Sequence, residues 1–405
     1  TSNNATLKNV TEKISSLVGI EAMINLTYLD VYNNNLTAVD VSKNTKLITL
    51  FVGMNQLTAL DVSKNLDLKF LYASSNNIKA FDASNNSKLE KLDLNQQANK
   101  LSALNIVGAT NLRGLYLWKN ELGSIDLSTL PNLEEFGSSD SELTALDISN
   151  NILLKRLWLT NNKISALDIS NKKAVLSWYW RANQVTAIDD SNKTDLEYVE
   201  VAENQLTTID VSKNTLLERL YLHTNQITTV DVSNNPLLER LYLYENQLTA
   251  IDLTKNPLLK ILWLENNQLS SVDLSNNPNI DNLAIGINPL SSLDVSNQKV
   301  MRVLTTEKTQ ISTIDLSANI NLEQLWVAEN PNLTTLDVSN NPKIWNLGAN
   351  ATGITELDLS KQKIKHLHGQ DNTALTKINL ASGFNGLVET MNLSGNTNLT
   401  CVQVD

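Results

Sequence analysis

The sequence predicts a mostly β solenoid, in which short, similar coils stack and their strands form one parallel sheet. The first observation is composition, since 68 Leu and 56 Asn occur among 405 residues while aromatic residues make up 5%. The second is a repeat, because phrases similar to "LTALDVSKN" occur 17 times. Of the 16 intervals between them, 14 are 21 residues long, one is 22 and one is 23. A period kept this strictly indicates stacked repeats rather than separate globular domains.

Each coil contains two halves with the same spacing of apolar residues. The segment "LERLYLHTNQ" at 217–226 is followed by "ITTVDVSNNP" at 227–236, and both fit L-x-x-L-x-L-x-x-N. The alternation at the centre of each half predicts a short strand with one buried face. The Asn is expected to point inward and to bond the backbone of the turn. The two columns are Asn204, Asn225, Asn246 and Asn267 in the variable half, and Asn214, Asn235, Asn256 and Asn277 in the monotonous half.

The segment "ISSLVGIEAMINLTYLDV" at 14–31 and the recurring "LTxLDVSxN" phrase resemble the leucine-rich repeats of the bacterial internalin type. The 21-residue internalin-J-like repeats, also common in secreted Bacteroidetes proteins, are the most similar. The resemblance implies a curved leucine-rich repeat solenoid with the variable half on a concave parallel sheet, and short strands or irregular segments on the opposite edge. Relatives often carry Cys in the second apolar slot of the variable strand. Here that slot holds Val31, Val52, Leu117, Leu159, Leu222, Leu243 and Leu264.

The domain organisation follows from where the pattern is regular. We expect residues 1–25 to form an N-terminal cap with a degenerate first repeat, and residues 26–380 to form the 21-residue repeats. Residues 381–405 are expected to form a degenerate and truncated C-terminal repeat, because the chain stops on the strand-like "CVQVD". The resemblance implies a secreted or cell-surface bacterial protein that is a monomer.

Composition and motifs narrow the function classes. The net charge of −11 and the lack of a basic stripe argue against nucleic acid as a partner. No apolar run is long enough to predict a transmembrane segment, and one cysteine, Cys401, excludes a disulfide framework. The sequence contains no phosphate loop, zinc-protease or serine-hydrolase motif, so we expect no enzyme activity, no cofactor and no metal. His366 and His368 are expected to be exposed, with a metal site that includes Asp371 as a weaker alternative.

An acidic column recurs in the monotonous half of the coils. Apolar residues flank each member, so alternation directs the carboxylates away from the core. We expect the Ser or Thr two residues later, together with backbone N–H groups, to bond each carboxylate; calcium bridging and ice binding are the alternatives. The column comprises Asp40, Asp61, Asp82, Asp126, Asp147, Asp168, Asp189, Asp210, Asp231, Asp252, Asp273, Asp294, Asp315, Asp337 and Asp358, with Asn105 and Asn379 in equivalent positions.

Aromatic residues are concentrated at one outward position of the variable strand. Nine of 17 coils carry one there, although the chain has only 21 aromatic residues. They are Phe51, Tyr72, Tyr116, Trp158, Tyr179, Tyr221, Tyr242, Trp263 and Trp326. One interpretation is that the rings only pack across strands and stabilise the sheet. The other is that they form a binding surface, because exposed aromatic strips with Arg are typical of interaction hot spots.

We therefore predict a non-catalytic extracellular recognition or adhesion module that binds a protein or glycoprotein through its aromatic sheet face. A polysaccharide-binding surface protein is the alternative, because sugars stack on Trp and Tyr rings. The predicted ligand-binding residues are Tyr116, Trp118, Trp158, Tyr179, Arg181, Tyr221, His223, Tyr242, Tyr244, Trp263 and Glu265.

Overall fold

The computed structural model describes residues 4–6, 13–169, 177–188 and 194–405. The chain divides into two compact units, unit 1 (Thr1–Leu196) and unit 2 (Glu197–Asp405), and each is described separately. Both have the predicted solenoid fold, in which a three-residue parallel strand recurs once per coil in the main sheet and some coils add a second strand on the opposite edge. The only helices in the described ranges are two short 3₁₀ turns. The acidic residue Asp189 lies outside the described residues.

In unit 1, a 3₁₀ turn at Ile20–Ala22 precedes most of the strands. The main sheet pairs β1, β2, β3, β4, β6, β8, β9, β10 and β11 in that order, while β5 and β7 pair on the opposite edge. The strands are β1 (Asn4–Thr6), β2 (Tyr28–Asp30), β3 (Thr49–Phe51), β4 (Phe70–Tyr72), β5 (Ala80–Asp82), β6 (Lys91–Asp93), β7 (Ala103–Asn105), β8 (Gly114–Tyr116), β9 (Glu135–Gly137), β10 (Arg156–Trp158) and β11 (Ser177–Tyr179).

In unit 2, the main sheet pairs β12 through β19 consecutively, then β21 and β23. The opposite edge pairs β20, β22 and β24, so the terminal Cys401–Gln403 strand belongs to that edge. A 3₁₀ turn spans Asn385–Leu387. The strands are β12 (Tyr198–Glu200), β13 (Arg219–Tyr221), β14 (Arg240–Tyr242), β15 (Ile261–Trp263), β16 (Asn282–Ala284), β17 (Val303–Thr305), β18 (Gln324–Trp326), β19 (Asn346–Gly348), β20 (Glu356–Asp358), β21 (His366–His368), β22 (Lys377–Asn379), β23 (Thr390–Asn392) and β24 (Cys401–Gln403).

The core of each unit is mainly a column of aliphatic side chains, and in unit 1 it also contains Phe136, Trp178 and Trp180. From β2 to β21, the middle residue of each main-sheet strand points inward and stacks on its equivalent in the next coil, as Leu220 does on Leu241. The second apolar slot, which often holds Cys in the relatives, is filled mostly by fully buried aliphatic residues such as Leu222 and Leu243, with the buried residues Ser138, Trp180 and Thr306 among the exceptions. Burying each side chain of this size contributes roughly 1.5–3 kcal/mol, so a coil is stable only where neighbours cover both of its sides.

The Asn side chains bond the turns as predicted, but the two columns do so differently. Asn246 donates from Nδ2 to the carbonyls of Leu222, Leu243 and Tyr244 at 3.0–3.3 Å, and its Oδ1 accepts the N–H of Ile227 at 3.0 Å. Asn256, in the other column, donates to two carbonyls at 2.9 Å. Its Oδ1 accepts no hydrogen bond from any part of the chain that the structure describes.

We expect Asn246→Ala to lower the free energy of unfolding more than Asn256→Ala does. The first change removes the acceptor of the Ile227 N–H, and a buried polar group left unpaired costs about 1–3 kcal/mol. The Asn256→Ala change removes only hydrogen-bond donors. The Val232 carbonyl, which loses one of them, still accepts the N–H of Asn235 at 3.0 Å. Urea denaturation of both variants measures the difference. Equal losses would show that the accepted bond contributes nothing.

The residue before the Asn of the variable half adopts a left-handed backbone conformation, including Thr224 (φ 56°), Asn266 (φ 54°) and Ile287 (φ 54°). The sequence analysis did not predict this feature. The left-handed region is unfavourable for β-branched side chains, whereas Asn tolerates it. The strain arises because the turn geometry is the same in every coil whatever residue occupies it.

Ile287→Asn should therefore raise the free energy of unfolding by about 1 kcal/mol, the order of the left-handed penalty. Ile287 is 46% exposed, so the change removes little packing. Asn266→Ile is the matched reverse change and should lower the urea midpoint. If Ile287→Asn also lowers the midpoint, then packing or solvation of the side chain outweighs backbone strain at this position.

The acidic column is exposed, and hydrogen bonds from the residue two positions later stabilise its carboxylates. Asp40 Oδ1 accepts the N–H of Ser42 at 2.9 Å, and Asp252 accepts both the N–H and the hydroxyl of Thr254 at 2.9 and 2.7 Å. These bonds lower the pKa of both carboxyls below the ordinary value of 3.8. For Asp231, the neighbouring carboxylates Asp252 and Asp210 oppose the larger effect of Ser233, which still lowers the pKa.

We expect acid to destabilise the chain through this column. A carboxyl whose folded pKa lies below its unfolded value stabilises the fold above the unfolded value of 3.8, and this contribution is lost as pH falls through the folded pKa. The free energy of unfolding, measured with urea from neutral pH to about pH 2.5, should decline below that value.

The matched variant combines Asp231→Asn, Asp252→Asn and Asp273→Asn. Asn accepts the same backbone bond without titrating, as Asn105 does from the N–H of Val107 and Asn379 from the N–H of Ala381. The variant should show a shallower decline in acid. An unchanged slope would mean that other carboxyls control acid unfolding.

Candidate binding surface

The outward side chains of the main-sheet strands are positioned by strand alternation. In the main-sheet strands from β2 to β21 the middle residue is buried, and the first and third residues point away from the core. All nine aromatic residues predicted at the third position lie there, and all are partly buried rather than fully exposed. Each ring lies against an aromatic ring of a nearby coil, and the largest groups are two clusters, one in each unit.

The unit 1 cluster consists of Tyr116, Trp118, Trp158 and Tyr179. The Trp118 indole lies 6.0 Å from the Tyr116 ring and 6.1 Å from Trp158, edge to face in both cases, and Trp158 stacks on Tyr179 at 6.1 Å. Gly137 makes this possible, because a Cβ at that position would collide with the Trp118 indole. The glycine therefore lets Trp118 cross one strand and join the rings on both sides.

A polar network borders the unit 1 cluster. The Tyr116 hydroxyl donates to the Glu135 carboxylate, which also accepts Arg156 Nη1 at 2.7 Å. Burial, followed by the Glu135 hydrogen bond, raises the pKa of Tyr116 far above its ordinary value of 10.0, so the hydroxyl keeps its proton at physiological pH. Lys91 Nζ lies 5.6 Å from the centre of the Tyr116 ring. This side of the cluster is thus held in one orientation.

The unit 2 cluster consists of Tyr198, Tyr221, His223, Tyr242, Tyr244 and Trp263. Tyr221 stacks on Tyr242 with ring centres 4.4 Å apart, and Tyr242 stacks on Trp263 at 4.5 Å, with interplanar angles of 14° and 13°. Tyr198 meets Tyr221 edge to face at 5.2 Å. The stacked rings present their edges to solvent, while the faces between them are covered.

A second, shorter stack lies beside the first in unit 2. His223 and Tyr244 are almost parallel, with ring centres 4.3 Å apart, and Tyr244 lies 6.0 Å from Trp263. His223 is only 7% exposed, so it supports Tyr244 instead of offering its own ring to a ligand. Trp263 is fixed by its Nε1, which donates to Asn282 Oδ1 at 3.1 Å.

Two acidic side chains lie beyond Trp263 on the same face. Glu265 and Glu307 are half-buried, and burial followed by repulsion from neighbouring carboxylates raises the pKa of each. For Glu265 the neighbours are Glu307 and Glu245, and for Glu307 the neighbour is Glu329. Arg181, the predicted basic member of the surface, is exposed in unit 1.

Sequence reasoning missed several residues of the clusters. Tyr198 occupies the first strand position, which alternation also directs outward, so period two could have identified it. Gly137 and Asn282 could not be found this way, because their roles depend on the Trp side chains of the preceding coils.

The two predicted exposed histidines are engaged with neighbours instead. His366 Nδ1 lies 2.8 Å from Thr390 Oγ1, and His368 stacks on Trp326 at 5.3 Å across Gly348. Within the described ranges, His, Cys, Asp and Glu side chains form no group of three or more that could hold a metal ion. In those same ranges, no helix is long and apolar enough to cross a membrane.

Comparison of the structure with solved proteins identifies the fold. The functional domain of InlJ from Listeria monocytogenes is 27% identical, with a TM-score of 0.59 over 89% of this chain and 68% of that domain. YopM from Yersinia enterocolitica is 20% identical, with a TM-score of 0.75 over all of this chain and 91% of YopM. The chain has the leucine-rich repeat fold.

A third leucine-rich repeat neighbour is the plant peptide hormone receptor RGFR1 in complex with RGF2, which is 14% identical with a TM-score of 0.61 over 95% of this chain and 79% of the receptor. No protein-family model and no curated protein matches the sequence. The InlJ domain includes a cysteine ladder. In this leucine-rich repeat chain, aliphatic side chains fill most of those positions, and the single cysteine, Cys401, is exposed near the C-terminus.

Proposed function

We propose that the outward face of the main-sheet strands recognises a protein or glycoprotein, and that the chain is the non-catalytic recognition module of a secreted or cell-surface adhesion protein. The observation that supports this most is the partial exposure of the aromatic clusters on a regular sheet face. Tyr and Trp rings held in fixed orientations bring large contact area at low entropic cost, as in interaction hot spots. The secreted location rests on the likeness to the internalin domain.

The ring geometry favours a protein partner over a polysaccharide. A sugar needs an open aromatic face on which to stack. In the unit 2 cluster, both faces of Tyr242 are covered, by Tyr221 on one side and Trp263 on the other. Ring edges and hydroxyls remain accessible, and these suit hydrogen bonding and side-chain packing by a polypeptide.

Selection of peptides from a displayed random library against the full chain, run beside a glycan array, tests this proposal. Replacing Trp263 or Trp158 by Ala should weaken the binding of the selected peptides by about 1–3 kcal/mol, the range for a hot-spot residue. Each truncation also removes ring contacts worth about 0.5–1.5 kcal/mol per pair, so the stability of each variant must be measured in parallel.

Arg219→Glu provides a variant that leaves the stack intact. Arg219 is exposed at the first position of β13, on the same face as Tyr221, and reversing its charge should alter peptide affinity without altering the urea midpoint. Lys377→Glu, at the exposed first position of β22 on the opposite edge, is the matched charge change and should leave affinity unchanged. The proposal would be contradicted if the selected peptides bound every sheet-face variant as tightly as the wild type, or if ligands were found only on the glycan array.

A further inference from the structure

A regular ladder of charges runs along the residues that immediately precede the main-sheet strands, here called the pre-strand positions. In unit 2, Lys260 pairs with Glu239 of the preceding coil at 2.6 Å, and Arg302 pairs with Asp281 at 2.6 Å. Such exposed ion pairs contribute little to the stability of the fold, but in each pair the two charges cancel along this edge of the main sheet. Cations at these positions are matched by an acid one coil away.

The ladder is interrupted at Trp345. The pre-strand position after Glu323 holds this tryptophan instead of a cation, and the charged pairing resumes with Lys365 and Glu389 at 3.7 Å. Trp345 lies 5.7 Å from the His366 ring, edge to face, and is partly exposed. An aromatic surface therefore replaces one ion pair of the edge.

Two lysines flank Trp345: Lys343 lies two residues before it in the same coil, and Lys363 lies at the equivalent position of the next coil. Lys343 Nζ donates to Asn321 Oδ1 at 2.7 Å, a neutral partner, and Lys363 Nζ lies 4.4 Å from the centre of the Phe384 ring. Neither has an ion pair with any described residue. These ammonium groups carry uncompensated positive charge in a chain whose net charge is −11.

These side chains line an open groove of about 760 Å³, here called the Trp345 groove. Pro342 and Leu387 add apolar surface beside the indole. Of the two acids of the groove, Glu389 already has cationic neighbours, since it lies 3.7–3.8 Å from Lys365 and His366. Glu323 makes only a minor contribution to the raised pKa of Arg302, whose main partner is Asp281.

We propose that the Trp345 groove binds an acidic peptide segment in which carboxylate side chains adjoin an apolar side chain. The ammonium groups of Lys343 and Lys363 would each receive a carboxylate, as charge-assisted hydrogen bonds. Trp345, Pro342 and Leu387 would cover the apolar side chain. The volume lies within the range of ligand pockets, ~300–1,000 Å³. This site is separate from the aromatic clusters and does not rest on the function proposed for them.

Fluorescence anisotropy with the full chain tests the proposal. The probe is a fluorescein-labelled pentapeptide in which two glutamates flank a phenylalanine; the comparison peptides carry lysines in place of the glutamates, or glycine in place of the phenylalanine. The first peptide should bind, more weakly as salt is added, and both comparison peptides should bind less. The double change Lys343→Gln with Lys363→Gln should weaken binding at least about tenfold.

Lys46→Gln is the matched control. Lys46 is exposed, lies three residues before its strand as Lys343 does, and donates to Asn25 Oδ1 at the same 2.7 Å, but it has no tryptophan beside it. Its replacement should leave binding unchanged. The proposal is overturned if the glutamate peptide does not bind, if the double variant binds it as well as the wild type, or if an oligogalacturonate binds the groove in its place.

Discussion

The fold depends on hydrogen bonds from buried Asn side chains to the backbone of the turns. Each coil must bury its apolar side chains, and the turn backbone that is buried with them needs these partners. Asn246 bonds groups of its own coil and of the preceding coil at once, so it fixes both the turn and the distance to the next turn. A residue inserted inside a strand would separate the Asn from those partners. The two extra residues of the 23-residue interval accordingly lie within 98–100, beyond Gln97, which keeps the ladder bonds.

The same constraint explains which features the sequence could predict. The strands, the Asn columns and the acidic column depend on contacts that recur every 21 residues, so one coil is enough to derive them. How each aromatic ring contacts its neighbours depends on which residue occupies the facing position of the next coil. Trp118 crosses a strand because position 137 is glycine, and His223 is buried because Tyr244 covers it. The left-handed turn residue was missed because its identity varies, from Asn266 to Ile287, and carries no common sequence signal.

The aromatic clusters pack the sheet, and the function proposed above would use the same rings for binding. The sequence analysis set sheet packing against ligand binding as alternative interpretations, but half-buried rings that touch at 4.3–4.5 Å do pack the sheet and still present their edges. A rigid stack loses little entropy when a partner covers it, which lowers the cost of binding. In the proposed function, stability and recognition would draw on the same side chains, so truncating a ring would affect both.

Departures from the repeat are the positions where local chemistry differs from coil to coil. The inward residues are constrained by neighbours on both sides, so their positions hardly change, although their size varies from Ser138 to Trp180. The outward and pre-strand residues are free of that constraint, and a single change has a local effect. Gly137 turns a row of rings into a joined cluster, and Trp345 turns a neutral edge of ion pairs into a groove with unpaired lysines. An interrupted column therefore gives one place along the solenoid a surface that the regular coils do not offer.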